Sequence, residues 1–248
     1  MVRTALHVAV VCLVLTAGCS TAGPDDPVRE SQAVEALQDA RERTRTVATY
    51  RYDLSVSAAG GSERVSVEVT GRVNATARTM AAETSAGGET LAAYVDGDTA
   101  YQQCPPGGAF WGEQNVTAGN WSEVGPLGRQ LALLSTGDLY WNGTGTVDGR
   151  ETVHISGHPS LDALRERSSV GSTPLPDGNN VERVTVDAWI DADTSALRRS
   201  RISMTVTGNG ETVTVDGTAD FRAYGEPVRV SVPAEARDAF HEGGCPGS

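Results

Sequence analysis

Apolar and polar residues alternate with a period of two over several stretches of the chain. The stretches cover residues 50–57, 65–73, 184–190, 202–206 and 213–221. Residues that favour turns separate them, at 58–62, 96–97, 193–194 and 208–210. Because successive side chains of a strand point to opposite faces, each stretch predicts a strand with one apolar and one polar face. Strands of this kind form an antiparallel sheet that is covered on one side only.

A helical spacing of apolar residues follows Ser31, a residue type that caps helix N-termini. The spacing predicts a helix over residues 31–47 with a thin apolar stripe, which must lie against a larger surface. The stripe consists of Val34, Leu37, Ala40, Thr44 and Val47. Residues 104–149 are rich in Gly, Trp and Asn, with one predicted helix at 126–134, and a second short helix is predicted at 159–167. Strands, a helical insertion and further strands predict an α+β fold: a curved antiparallel sheet, or half-barrel, with helices packed on its concave face.

The N-terminus carries an apolar run, residues 5–18, that follows the positive charge of Arg3. The run is shorter than the ~20 residues that cross a bilayer, so residues 1–18 are predicted to be a secretory signal peptide. It ends in LTAGC, which resembles the lipobox of secreted lipoproteins, where the cysteine, here Cys19, becomes the lipid-modified first residue. Leu is usual where Thr16 stands. The alternative is ordinary signal cleavage nearby, which would release a free secreted protein.

Residues 19–30 are polar and interrupted by proline, which predicts a lipidated tether. Residues 31–248 are then predicted to form a single domain. The sequence has no second apolar stretch long enough to span a bilayer, so attachment would rest on the lipid at Cys19. The predicted location is extracytoplasmic, on the outer face of the cell membrane.

The charge of the chain disfavours some classes of binding partner. The 248-residue chain has a formal net charge of −12, and all 20 of its basic residues are arginine. Nucleic acid and anionic lipid headgroups are disfavoured, because most of the surface would repel them. Acidic surfaces of this kind resemble those of halophilic proteins, in which salt screens the repulsion. A GC-rich genome, which favours arginine over lysine, is the alternative explanation.

Two cysteines remain after the predicted signal and lipid site, Cys104 in CPPGG and Cys245 in GGCPG. Outside the cytoplasm such an even pair predicts a disulfide. The alternative is two unpaired buried thiols.

Four asparagines stand in N-x-[ST] sequons: Asn74, Asn115, Asn120 and Asn142. The motif is short and arises by chance, but the last three cluster in the predicted loop region of an exported chain. We therefore expect a glycoprotein, with Asn74, which sits beside a strand, the weakest acceptor.

Metal and catalytic chemistry are poorly supported by the sequence. His154 and His158 would need a helix to share a face, but Gly157 and Pro159 favour a strand ending in a turn, so no metal is predicted. Asp191, Asp193 and Ser195 alternate like the start of a calcium loop but lack its glycine and its distant glutamate, so a hairpin turn is favoured. With no nucleophile elbow and no phosphate-cradling loop, we expect neither an enzyme nor a cofactor.

Several strand pairs look like those of the LolA/LppX-like lipoprotein family and its archaeal relatives. They are VEVTGRVNATARTMAAE, LAAYVDGDTAYQQ, VTVDAWIDADTSALRRSRI and DFRAYGEPVRVSVPAEA. The resemblance covers roughly residues 51–236, and its hairpin runs from Trp189 through Leu197. It implies a half-barrel of antiparallel strands lidded by helices, and several family members hold a lipid or a lipidated protein in the cavity.

The apolar face of the sheet is the candidate ligand site. Its predicted lining is Val65, Val67, Val69, Val184, Val186, Ile202, Met204, Val213 and Val215. A cavity there would suit an acyl or isoprenoid chain, since each buried methylene contributes ~0.8 kcal/mol. The alternative is a packed core, filled by Trp111, Trp121, Trp141 and the central helix, in a glycosylated cell-envelope module that acts through its surface and has no ligand.

Overall fold

One large sheet dominates the computed structural model, which describes residues 27–105, 107, 110–115, 125–161, 180–208, 211–238, 240–242 and 245. The described residues form 12 strands and three helices. The strands are β1 (Thr49–Gly60), β2 (Glu63–Asn74), β3 (Thr79–Ala86), β4 (Glu89–Asp96), β5 (Thr99–Cys104), β6 (Phe110–Asn115), β7 (Asp138–Val147), β8 (Arg150–His158), β9 (Asn180–Asp191), β10 (Leu197–Gly208), β11 (Glu211–Arg222) and β12 (Phe240–Glu242). The helices are α1 (Ser31–Thr46), α2 (Pro126–Leu133) and α3 (Ala234–Asp238).

The strand order is β12-β6-β5-β4-β3-β2-β1-β11-β10-β9-β8-β7. Neighbouring strands are antiparallel throughout, except that β12 runs parallel to β6. The sheet is open, with β7 and β12 at its two edges. This confirms the predicted fold class, a large curved antiparallel sheet with few helices. The period-two stretches all lie in strands, namely β1, β2, β9, β10 and β11.

The register sorts the side chains onto two faces. Val56 lies opposite Val67 of β2 and Gly217 of β11, so the apolar positions of the three strands share one face. Helices α1 and α2 pack on this face, which we call the inner face. The opposite, outer face carries the alternating polar positions, such as Arg51 and Asp53.

Helix α1 lies on the inner face as its apolar stripe predicts. Leu37 and Ala40 are buried in the main core, together with Thr44, whose hydroxyl donates to the Ala40 carbonyl at 2.8 Å. The predicted cap is one residue off, since Glu30 is the N-cap and Ser31 is the first helical residue. The Glu30 backbone is extended beside β7, and its carbonyl accepts the first helical hydrogen bond, from the Val34 N–H at 3.0 Å. The Glu30 carboxylate also accepts a hydrogen bond from the Trp141 backbone N–H at 2.7 Å.

The residues just before α1 also pair with β7. The Leu139 N–H donates to the Val28 carbonyl at 2.8 Å, and the Glu30 N–H donates to the Leu139 carbonyl at 3.0 Å. The end of the predicted tether is therefore attached to the sheet edge.

The middle of the chain contributes strands as well as the predicted helix. Helix α2 ends at Leu133, close to the predicted end, but β6 and β7 also fall within residues 104–149, where a helical insertion was expected. Alternation in β7 is hidden by a bulge between Trp141 and Thr144 and by Gly143, which has a φ of 88°. Most of the predicted helix at 159–167 lies outside the described residues. Trp121 also lies outside them.

The outer face has a small core of its own, which the expectation of a sheet covered on one side did not include. Trp111, Val232 and Ala236 are buried there, and Tyr94 packs on Trp111 with ring centroids 5.9 Å apart. Helix α3 brings Ala236 to this cluster, because the chain after β11 crosses to the outer face. The predicted Cys104–Cys245 disulfide is present and ties this C-terminal segment to β5.

None of the helices in the described ranges is long and apolar enough to cross a membrane.

Candidate ligand-binding face

Aromatic rings close one end of the inner face. The ring centroid of Tyr50 lies 6.4 Å from that of Tyr52, 6.2 Å from that of Phe221 and 6.3 Å from that of Tyr224. The Tyr50 hydroxyl accepts a hydrogen bond from the Leu127 N–H of α2 at 3.4 Å. Helix α2 is thereby held over the rings, and this end of the face is a packed core.

The phenols in this cluster stay neutral. Burial raises the pKa of Tyr52 to about 12, and burial also raises the pKa of Tyr50 and of Tyr224. An uncharged aromatic wall imposes no desolvation cost on an apolar group beside it.

The other end of the inner face is apolar but only half covered. Six side chains on β1, β2 and β11 form what we call the distal apolar patch: Val56, Ala58, Val65, Val67, Val213 and Val215. All six lie outside the two packed clusters of the described chain. Val65, close to the β1–β2 turn, is 59% exposed, and the other five are partly exposed.

The nine residues predicted to line a cavity divide into three groups. Val184 and Val186 are part of the packed core. Val69, Ile202 and Met204 are partly buried against that core. Val65, Val67, Val213 and Val215 belong to the distal apolar patch. Sequence reasoning missed Val56 and Ala58 of β1, although Val56 continues the same period-two pattern.

Strand register joins the patch to the core in a continuous apolar row. Met204 lies opposite both Val215 and Val184, and Ala58 lies opposite both Val215 and Val65. The row therefore crosses five neighbouring strands, from Val65 on β2 to Val184 on β9. At a strand spacing of about 4.8 Å it is about 19 Å long. We call it the apolar row.

A glycine leaves space on the inner face beside the apolar row. Gly217 of β11 lies between Val56 and Ile202, and both partners are apolar. A Cβ atom built at Gly217 would have Val56 Cγ2 as its nearest neighbour, at 3.7 Å, which is ordinary contact. The position therefore has free space above it, and a side chain there would fill part of the face.

A cleft of about 430 Å³ borders Val184, the last residue of the apolar row on β9. The cleft is lined by Val184, His158, Pro159, Leu161, Glu182 and Arg183. Val184 and Leu161 are apolar lining residues, whereas Glu182 and Arg183 are charged and exposed. This arrangement suits a molecule with an apolar chain and a polar end.

The sequon asparagines lie in different settings. The Asn74 amide donates a hydrogen bond to the Val228 carbonyl at 3.3 Å, so this side chain helps to hold the C-terminal segment. Asn142 is exposed, and its amide donates to the Ser156 hydroxyl at 2.7 Å. Asn115 is exposed at the end of β6, whereas Asn120 lies outside the described residues. Their glycosylation stays a prediction.

The two histidines lie in β8 and make packing contacts. His154 stacks on Trp189 with ring centroids 4.5 Å apart, and its Nε2 lies 2.8 Å from Asp187. His158 packs edge-on against Tyr140 at 5.9 Å. The described ranges contain no group of three or more residues that could hold a metal ion.

The Asp191 carboxylate accepts several hydrogen bonds within and beside the β9–β10 hairpin. Its Oδ1 accepts hydrogen bonds from the backbone N–H and the hydroxyl of Thr194 at 3.0 and 2.8 Å, and its Oδ2 from Arg150. Burial opposes ionisation, but these hydrogen bonds outweigh it and lower the pKa of Asp191 to about 2. Asp193 is 89% exposed, and Ser195 takes a left-handed φ of 54° within the turn.

No protein-family model and no curated protein matches the chain. Among solved structures, the chain is similar to lipoprotein LppX of Mycobacterium tuberculosis, at 17% identity and a TM-score of 0.48, over 81% of this chain and 98% of LppX. It is similar to LprF of Mycobacterium bovis at 18% identity and a TM-score of 0.48, over 84% and 99% of the two chains. A LolA superfamily protein of Nitrosomonas europaea matches at 10% identity and a TM-score of 0.28, over 81% and 94%.

Proposed function

We propose that the protein is an extracytoplasmic lipoprotein, held at the membrane by lipid on Cys19, that binds a hydrophobic chain on its inner face. The observation that carries the proposal is the apolar row, which leads from the half-exposed distal apolar patch to the cleft at Val184. A solid core would cover Val65 and its neighbours, whereas a carrier needs them free until the ligand arrives.

The proposed ligand is an acyl or isoprenoid chain. Each methylene that leaves water for an apolar face contributes ~0.8 kcal/mol, so ten or more would bind firmly along a row of this length. The charged rim of the cleft, at Glu182 and Arg183, would then hold the polar end of the same molecule. No catalytic step is proposed.

Three further properties belong to the proposal and rest on the sequence. The predicted signal peptide and the lipobox-like LTAGC support export and lipidation. The arginine-only, acidic composition supports life in high salt. The sequons, of which Asn115 and Asn142 are exposed, support glycosylation.

The deciding experiment is native mass spectrometry of the protein purified from its own host, followed by organic extraction. The expected result is a co-purifying lipid that is distinct from the covalent anchor on Cys19. Protein that carries only the anchor lipid would contradict the carrier function and would favour an envelope module that acts through its surface.

A matched pair of variants tests where the lipid binds. Val215→Glu puts a charge into the apolar row. Thr214→Glu puts the same charge at the preceding position, whose side chain is exposed on the outer face. We expect lipid occupancy to fall about tenfold in the first variant and to be unchanged in the second, since a buried unpaired charge is costly. Equal occupancy in both would exclude this face as the binding site.

A further inference from the structure

Three arginines stand side by side on the outer face. Arg51 of β1 lies directly opposite Arg72 of β2 and directly opposite Arg222 of β11. Directly opposed side chains have Cβ atoms about 5 Å apart, and like charges in such positions destabilise a sheet. We call these three residues the arginine row. In a chain with a net charge of −12, this local concentration of positive charge needs an explanation.

Internal partners neutralise the arginine row only in part. Arg222 forms an ion pair with Asp53. The Arg72 Nε donates to the Arg229 carbonyl at 3.3 Å, which is a hydrogen bond but supplies no negative charge. Within the described ranges, the guanidinium of Arg51, the central member, makes no hydrogen bond or ion pair.

The arginine row borders a cleft of about 120 Å³. The cleft has room for several water molecules and hence for a small anion. The Thr70 and Tyr94 side chains, which also line it, can donate hydrogen bonds. The cleft includes two carboxylates, Asp53, which is paired with Arg222, and Glu83.

We propose that this cleft binds a single phosphate group. Guanidinium groups present a planar fork of donors that matches phosphate oxygens, and such charge-assisted hydrogen bonds are strong. A bound phosphate supplies the negative charge that the arginine row lacks. The ligand is one phosphate and not a long polyanion, because Glu83 lines the same cleft and Glu68 lies further along the same face, where they would repel further negative charge.

The test is calorimetric titration of inorganic phosphate into the full mature protein, in chloride buffer at constant ionic strength. We expect saturable binding in the wild type. Arg51→Gln is expected to weaken it about tenfold or more, because it removes one charge-assisted contact and the central charge. The matched control is Arg64→Gln, which makes the same change on the same outer face, at an exposed position of β2. It should bind like the wild type.

A melting experiment separates binding from a structural role of Arg51. Without phosphate, Arg51→Gln should melt at the same temperature as the wild type or higher, since the variant relieves like-charge repulsion. Added phosphate should raise the melting temperature of the wild type and of Arg64→Gln, but not of Arg51→Gln. An absence of saturable binding, or an equal loss in both variants, would overturn the proposal.

A second titrant distinguishes the two sources of the phosphate group. Glycerol 3-phosphate that binds more tightly than inorganic phosphate, with the same dependence on Arg51, supports a lipid headgroup as the natural ligand. Weaker or equal binding supports free phosphate. The arginine row and the apolar row lie on opposite faces, so loss of phosphate binding would leave the proposed lipid binding intact.

Discussion

At the scale of single residues, the ring of Tyr52 lies over Gly71 on the inner face. The two residues are directly opposed on β1 and β2, and a Cβ atom at position 71 would overlap the ring carbons of Tyr52. An aromatic ring that covers a glycine in the next strand stabilises the pair without strain. The small residue at position 71 is therefore required by packing.

We predict that Gly71→Ala lowers the free energy of unfolding by about 2 kcal/mol, because an extra methyl group in this position forces Tyr52 out of its rotamer. The control is Gly217→Ala, where the nearest atom to the new Cβ lies at 3.7 Å. It should change stability by less than about 1 kcal/mol, in the stabilising direction, because glycine is unfavourable in a strand. Denaturant unfolding measures both values, and similar losses would contradict this account.

Asp191 makes stability depend on pH in the acid range. Its pKa falls from an ordinary value of 3.8 to about 2 in the folded protein. A carboxyl group whose pKa is lowered by folding stabilises the folded state at pH values above its pKa in the unfolded chain. This stabilisation is lost as the pH falls through its pKa in the folded protein. A shift of this size contributes about 2 kcal/mol, which should disappear as the pH falls from about 4 to about 2.

We predict that Asp191→Asn removes this contribution, so that acid unfolding becomes shallower over the same pH range. The control is Asp193→Asn, because Asp193 is 89% exposed and lies 3.9 Å from Arg150. It should keep the wild-type pH dependence. The measurement is the free energy of unfolding at a series of pH values, and an unchanged slope for Asp191→Asn would show that another carboxylate is responsible.

At the scale of elements, the C-terminal segment is the least expected part of the sheet. β12 pairs with β6 at the sheet edge, α3 covers Trp111 on the outer face, and the disulfide between Cys104 and Cys245 joins this segment to β5. The bridge spans 141 residues of sequence. A loop of this length restricts the unfolded chain strongly.

We predict that the double variant Cys104→Ser, Cys245→Ser loses about 5 kcal/mol of unfolding free energy, the value that chain entropy gives for such a loop. Wild-type protein under reducing conditions should show the same loss, which controls for the two substitutions. Denaturant unfolding measures both. A loss below about 1 kcal/mol would mean that contacts of α3 and β12 already restrict the unfolded chain.

At the scale of the whole molecule, the excess of negative charge opposes folding. The net charge of −12 is spread over a sheet with a large surface, and its ion pairs, such as Arg199 with Asp220, are partly exposed. Such pairs contribute little each. We therefore expect repulsion among the remaining carboxylates to be the main electrostatic effect on stability.

We predict that the melting temperature rises when sodium chloride increases from about 0.1 M to about 1 M, since the Debye length falls from ~10 to ~3 Å. A comparison at equal concentrations of a neutral osmolyte separates screening from general exclusion effects. A melting temperature that falls with salt would show that the ion pairs dominate, and it would argue against the halophilic character that the composition suggests.

The sequence by itself determined which residues share a face. Side chains alternate along a regular strand, so the alternating valines of β1, β2, β9, β10 and β11 lie on one face whichever strands are their neighbours. It also predicted the stripe of α1 and the pairing of Cys104 with Cys245. The strand β7 was missed because its bulge and Gly143 break the alternation.

Only the tertiary structure decided which strands are neighbours. β1 pairs with β11, from the other end of the sequence, and that pairing alone places Arg51 beside Arg222 and joins Ala58 to Val215. Periodicity carries no information about partners, because a strand presents the same alternating edge to any neighbour. The arginine row, the apolar row and the C-terminal core on the outer face all arise from long-range pairing, which is fixed by the packing of the whole sheet.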